Sequence, residues 1–211
     1  MLTWLLEILN TLTTGSTLWH GIVFLLAALG EIGLPATCPL LESLLIFTGF
    51  QIVYQEDILA AIPFLLVAFT GRLCGVTAAY WISFRLGNTI VNKFGGRFGI
   101  TQERIEQAKH KMKSFTIPAV VVARFTPGLN VLSSVVCGIS RIDFKKFLVA
   151  VVIQLIVWET IFLSIGAIGS RLSDSPDAEF AVVLTLIWIG IAITGGIVMA
   201  VIAHRRIKKS Q

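Results

Sequence analysis

Glu31, Glu42, Arg72, Arg124 and Glu159 lie in or beside apolar stretches, where an ionised side chain is costly. Arg124 says most. It sits in Val-Val-Ala-Arg124-Phe-Thr-Pro127-Gly128-Leu-Asn130, a guanidinium followed almost at once by a helix-breaking Pro-Gly. A charge at membrane depth costs about 3 kcal/mol on insertion scales, so it faces a partner or a water-filled cavity. Broken backbone is tolerated there only where protein or water satisfies the freed N–H and C=O groups. A charge beside a helix break in an apolar run reads as a site for something polar that enters or crosses a bilayer.

The other charges sharpen that chemistry. Glu31 and Glu42 flank an earlier break, Glu31-Ile-Gly-Leu-Pro35-Ala-Thr-Cys-Pro39-Leu-Leu-Glu42. Carboxylates in low dielectric exchange protons near neutrality. An arginine presents a planar fork of donors suited to phosphate. A half-helix starting after Pro127-Gly128 adds free N–H groups and a positive dipole end. Together they describe a proton-coupled site for an anionic headgroup. Arg124, Pro127, Gly128, Asn130 and Arg72 are the substrate-binding candidates, and Glu31 and Glu42 the proton-coupling ones.

The plainer alternative is that these charges form ion pairs that lock helices together. Arg72 and Glu159, opposite in sign and similarly placed in two long apolar stretches, read best that way, as partners of each other. No His/Cys/carboxylate cluster has metal-ligand spacing, and no Gly-rich loop follows a strand, so neither a metal nor a cofactor is expected. Ser133-Ser134 has no base in view, which argues against an enzyme. Cys38, Cys74 and Cys137 all lie in apolar segments without CxxC spacing and read as small core residues.

The elements that must position these groups are membrane helices. The chain is 55% apolar and 14% charged, with a mean hydropathy of +0.86, against about 25% charged residues in soluble domains. The fold class expected is an all-α polytopic membrane protein forming one membrane domain over residues 1–211. Residues 1–15 carry an apolar stripe suited to an interfacial helix and no basic region of the kind that opens a signal peptide. Residues 18–53 hold two short apolar pieces around the Gly/Pro/Glu centre and read as a re-entrant hairpin. Residues 58–86 are long enough to cross. A basic segment follows at 87–114, then a second broken stretch, 115–139, read as a second re-entrant hairpin. Residues 147–169 and 180–203 read as two further crossings, and 204–211 as a basic tail.

Basic loops stay inside, which makes Arg85–Lys113, Lys145, Lys146 and the tail cytoplasmic and puts the acidic loops at Glu56-Asp57 and Asp174–Glu179 on the other side. The first hairpin then opens outward and the second inward, with the C-terminus inside. Pro39…Gly49 before a crossing with Tyr80-Trp81 parallels Pro127…Gly138 before a crossing with Trp158. That pattern is inverted-repeat-like, as in many secondary transporters. The basic segment, with Phe94, Phe98 and Phe115, suits an anionic membrane surface rather than nucleic acid. The oligomeric state is left open, a homo-oligomer included.

Arg124-Phe-Thr-Pro127-Gly128…Gly138…Phe144 resembles the signature of the DedA family of membrane proteins, also called the SNARE-associated or VTT domain. Glu31…Pro35…Pro39…Glu42…Gly49 is similar to that family's first hairpin. Gly71…Gly75…Tyr80-Trp81…Arg85-Leu-Gly87 is similar to its following helix, and Trp158 fits its later span. The resemblance covers roughly residues 20–170. It implies two opposed re-entrant hairpins and a role in moving lipids between leaflets, bacterial members being linked to undecaprenyl phosphate recycling and phospholipid translocation. By position, Glu31 and Glu42 match the acidic residues of the first hairpin, and Arg124 the first signature arginine. Asn130 stands where the family often has a second arginine, and Val76 where it often has an aspartate. The missing cation favours a zwitterionic headgroup or another lipid over a doubly charged phosphate, unless Arg72 supplies the charge.

The resulting expectation is a lipid transporter or flippase of the cell (inner) membrane, moving a phosphate-bearing lipid with protons as the coupling partner. The alternatives are a small-ion/proton exchanger, which needs a continuous polar path, and a membrane scaffold, in which the buried charges only hold the fold.

Overall fold

Six helices hold most of what the computed structural model describes, namely residues 7, 8, 11, 17–34, 37–56, 58–98, 116–125, 129–172, 183, 187, 188 and 190. They are α1 (Thr17–Ile32), α2 (Thr37–Gln55), α3 (Ile58–Phe98), α4 (Thr116–Phe125), α5 (Leu129–Ile139) and α6 (Phe144–Leu172). Outside the described residues lie most of the expected interfacial helix at 1–15, the basic segment beyond Phe98, most of the expected crossing at 180–203, and the tail at 204–211. Pro127 and Gly128 fall outside them as well.

Glycine and proline set the helix ends. α1 stops where Gly33 takes a φ of 130°, and the Leu34 N–H donates to the Leu29 carbonyl at 3.1 Å. The Thr37 hydroxyl donates back to the Leu34 carbonyl at 2.9 Å, and α2 begins at once. Pro39 falls in its first turn, where a missing N–H breaks nothing. The second arm of the first hairpin, expected to be a short piece from Ser43 to Val53, is therefore 19 residues long. It joins Ile58–Gly87 and Phe144–Arg171 as a helix long and apolar enough to cross a membrane. Pro118 likewise sits in the first turn of α4.

The other expected bounds shift outward for similar reasons. No proline interrupts Arg85–Phe98, and a helical glycine costs only about 1 kcal/mol, so α3 runs on through the first part of the segment expected to be basic loop. α6 starts at Phe144 rather than Phe147 because the Asp143 carboxylate caps it, accepting the Lys146 N–H at 3.0 Å. The turns out of α2 and α5 use left-handed residues that are not glycine, Glu56 (φ 54°) and Arg141 (φ 51°).

The helices pack by parity. α3 lies against α1 on one side and α5 on the other, while α6 lies against α2 and α4; contacts between the odd and even sets are thinner. Small residues make these crossings close, as expected where lipid removes the hydrophobic drive between helices. A Cβ on Gly49 would overlap the Leu163 backbone, and one on Gly166 the Ile46 carbonyl. Gly71 and Gly75 press on the backbone of Phe24 and Ala28, and Gly138 on the Tyr80 carbonyl.

Two apolar clusters fill the interior. One joins Val23, Leu41, Leu44, Phe47, Phe64 and Phe162, and the other Val76, Tyr80, Val120, Phe147, Val151 and Leu155. Along α3, Phe64 and Ala68 belong to the first and Val76 and Tyr80 to the second, with Arg72 on the same four-residue rhythm between them. Arg72 is the midpoint of the Ile58–Gly87 stretch, and Trp158 that of Phe144–Arg171. Ile62, Leu66, Ile153, Ile156 and Ile161 stay exposed, apolar surface suited to lipid.

Gly166→Val tests the close crossing. It should destabilise the protein by about 2 kcal/mol or more, the scale of overpacking, read as a lower Tm in detergent. Gly21→Ala, whose added methyl meets nothing within 4 Å, should leave Tm unchanged or raise it slightly, as removing a helical glycine is worth about 1 kcal/mol.

Candidate functional site

Arg124 is the penultimate residue of α4, the last turn before the chain breaks, and its side chain is 1% exposed. Four groups satisfy it. Nη2 donates to Glu31 Oε2 at 2.7 Å, an ion pair across the two helix breaks. Nε donates to Gln154 Oε1 at 2.9 Å. Nη1 donates to Ser134 Oγ at 3.1 Å and to the Asn130 carbonyl at 3.3 Å. Glu31 is itself penultimate in α1, so the two paired charges come from the ends of two helices that stop inside the protein.

Glu42 is held differently. Trp158 Nε1 donates to its Oε1 at 2.9 Å and Trp188 Nε1 to its Oε2 at 3.0 Å. Both carboxylate oxygens thus accept from neutral indoles, one on α6 and one in the segment beyond it. The Phe162 ring lies between the two indoles, 5.2 Å from Trp158 and 4.8 Å from Trp188. Arg72 is buried and makes no salt bridge or hydrogen bond among the described residues. Its charge acts instead through space on Glu42, Cys38 and Glu159.

These groups meet around one small cavity, lined by Glu31, Cys38, Glu42, Arg72, Arg124, Asn130, Gln154 and Trp158. At about 40 Å³ it has room for a few waters and no more. The lining carries two glutamates and two arginines, so its formal charge is zero.

The structure brings together Arg124, Asn130, Arg72, Glu31 and Glu42 of the residues singled out in the sequence. Asn130 enters chiefly through its carbonyl, which also accepts from Ser133 Oγ at 2.6 Å. The expected Arg72–Glu159 pair is not a salt bridge. Glu159 Oε1 is buried without a hydrogen-bond partner among the described residues, and Arg72 lines the cavity, which Glu159 does not. The sequence reading missed Gln154, Cys38 and Trp188. Gln154 was the findable one, a single neutral polar residue inside Val-Val-Ile-Gln154-Leu-Ile-Val.

Comparison with known proteins fits this arrangement. The VTT domain profile matches residues 39–168, more than half of the chain. The chain belongs to the VTT-domain, or DedA, family. Among its relatives, the uncharacterized membrane protein YbfM of Bacillus subtilis is 25% identical over 146 residues, 69% of this chain and 87% of that protein. Undecaprenyl phosphate transporter A of Bacillus subtilis is 26% identical over 134 residues, 63% of this chain and 67% of that one. The protein of the same name in Staphylococcus aureus is 23% identical over 141 residues, 65% of this chain and 68% of that one. No solved structure matches. As a VTT-domain protein with three helices able to cross, the chain is a membrane protein. Glu31 lies outside the matched residues, whereas Glu42, Arg72, Arg124 and Gln154 lie within them.

A buried ion pair broken on one side leaves an uncompensated charge, at about 3–5 kcal/mol, whereas removing both partners is far milder. Arg124→Met should therefore lower Tm more than the double variant Arg124→Met/Glu31→Gln. Equal losses, measured by thermal unfolding in detergent, would show that the pair carries no such coupling.

Proposed function

We propose that this VTT-domain protein moves a phosphate-bearing lipid, undecaprenyl phosphate or a phospholipid, between the leaflets of the cell membrane, with protons as the coupling partner. One observation carries the reading: a fully buried guanidinium, at the end of a helix that stops inside the protein, faces a cavity level with the midpoints of two long helices. Substrate sites of secondary transporters lie at such midplane positions, built from discontinuous helices. Relatives named undecaprenyl phosphate transporter A supply the substrate class.

In this reading α1–α2 and α4–α5 are the two re-entrant hairpins of an inverted repeat, and the basic loops lie in the cytoplasm with the C-terminus. The packing supports it by exchange: the first arm of each hairpin lies on the long helix that follows it, and the second arm on the long helix of the other half. The phosphate sits against Arg124, Arg72 and the start of α5. The acyl or prenyl chain stays in lipid. Glu31 and Glu42 couple the site to protons.

The cavity's size favours one second reading, a small-ion/proton exchanger, because a few waters' worth of space suits a hydrated ion without rearrangement.

Proteoliposomes separate the two. Headgroup accessibility of undecaprenyl phosphate and of a common phospholipid is followed for wild type, Arg124→Ala and Glu31→Gln at equal amounts of folded protein. Movement of one lipid by wild type, lost by at least tenfold in both variants, is the expected result. No movement of either lipid under an imposed proton gradient, with ion-coupled proton flux instead, would establish the exchanger.

A further inference from the structure

The two glutamates of the cavity are not equivalent. Glu42 accepts from two indole N–H groups, which hold its carboxylate in place without a cation in direct contact. Glu31 has one bonded partner among the described residues, the Nη2 group of Arg124. The remaining ligands of that guanidinium, Gln154 Oε1, Ser134 Oγ and the Asn130 carbonyl, are neutral and lie on Nε and Nη1. The guanidinium is thus oriented by three neutral groups and offers its Nη2 edge to a single anion. Arg72, also lining the cavity, has no hydrogen-bonding partner among the described residues.

Charge sets the rest. The four charge-bearing side chains of the lining, Glu31 on α1, Glu42 on α2, Arg72 on α3 and Arg124 on α4, have formal charges that sum to zero. Cys38 on α2 is the other titratable group of the lining, α5 and α6 contribute only neutral groups to it, and Glu159, outside the lining but within electrostatic reach of Arg72, can only add negative charge. An arriving phosphate therefore leaves the buried site with at least one excess negative charge, a state disfavoured by several kcal/mol in low dielectric. It also meets a cavity too small to take it beside the Glu31 carboxylate.

Resting on the lipid-phosphate reading above, we propose that Glu31 occupies the phosphate's own place: the anion binds Nη2 of Arg124 by displacing the Glu31 carboxylate, which takes up one proton from water as it leaves. Glu42, fixed by its two indoles, stays in place. One proton offsets one charge, so the site selects a phosphate carrying a single negative charge, a phosphodiester headgroup or a phosphomonoester that retains one proton. The Arg124–Glu31 ion pair holds the Nη2 edge, and the exchange of carboxylate for phosphate is what admits the lipid.

Binding of phosphatidylglycerol and of undecaprenyl phosphate to the purified full chain in detergent tests this, with wild type, Glu31→Gln and Arg124→Gln compared from pH 6 to 8.5. The readout is the ratio of the wild-type Kd to the Glu31→Gln Kd, in which the lipid's own titration cancels. Displacement with uptake of one proton requires that Glu31→Gln bind at least tenfold tighter at pH 8 and that the ratio rise with pH across the range, approaching tenfold per pH unit. Arg124→Gln should lose binding at every pH. A ratio near one throughout overturns the displacement while leaving a lipid-binding protein. Binding retained by Arg124→Gln overturns it too, by removing the shared Nη2 edge. Binding of neither lipid to folded wild type or Glu31→Gln overturns both this proposal and the reading it rests on. Wild type alone gives a second measure should Glu31→Gln fold poorly: phosphatidylglycerol added at pH 8 in weak buffer should draw close to one proton per lipid from the medium, and no uptake refutes the mechanism.

Discussion

A guanidinium cannot shed its charge or hide its donors, and burying one dictates what surrounds it. Arg124 has five N–H groups arranged in a rigid plane. The protein meets them with groups from three other helices, Glu31 from α1, Asn130 and Ser134 from α5, and Gln154 from α6. That demand explains features that look unrelated in the chain. α4 stops one residue after Arg124, the first turn of α5 turns its carbonyl toward it, and the most apolar of the long stretches carries a glutamine near mid-length. Each is a local expense in helix continuity or burial, met by one shared network in which the polar groups satisfy each other.

The surrounding packing is of the kind a bilayer requires. With lipid on the outside there is little hydrophobic gain in bringing helices together, so contact depends on how closely backbones approach. Gly49 against Leu163, Gly166 against Ile46, and Gly75 against Ala28 give that approach along the long crossings. The large apolar side chains then split between two clusters on either side of the charged centre and a lipid-facing surface of isoleucine and leucine.

Much of this was legible in the residues. The helical class, the placement of the long apolar stretches, the two breaks, and the convergence of Glu31, Glu42, Arg72, Arg124 and Asn130 all follow from charge and proline patterns, because a buried charge and a broken helix are expensive enough to be read singly. What escaped was less costly. Pro35 and Pro39 read in sequence as one broad interruption, yet Pro39 lies inside α2, since a proline in a first turn starts a helix as readily as it ends one. Arg72 and Glu159 suggested a pair by their sign and spacing, but spacing along two helices does not fix which faces meet. The indole clamp on Glu42 joins residues more than a hundred positions apart, and nothing in a tryptophan's neighbours announces that it will donate to a distant carboxylate.

The parity of the packing has a mechanical meaning. α1, α3 and α5 form one close-packed set and α2, α4 and α6 the other, and every connection between successive helices passes from one set to the other. The chain is laced back and forth across a seam. Gln154 grips Arg124 within the even set, as Trp158 grips Glu42, while the bonds from Arg124 to Glu31, Ser134 and Asn130 cross the seam. The cavity therefore lies on the parting line between two interlocked blocks, and its polar contacts are the rungs that hold the blocks shut. Prising them apart anywhere along that line strains the same few rungs, so a single ligand exchanged at Arg124 is mechanically connected to the whole length of the seam.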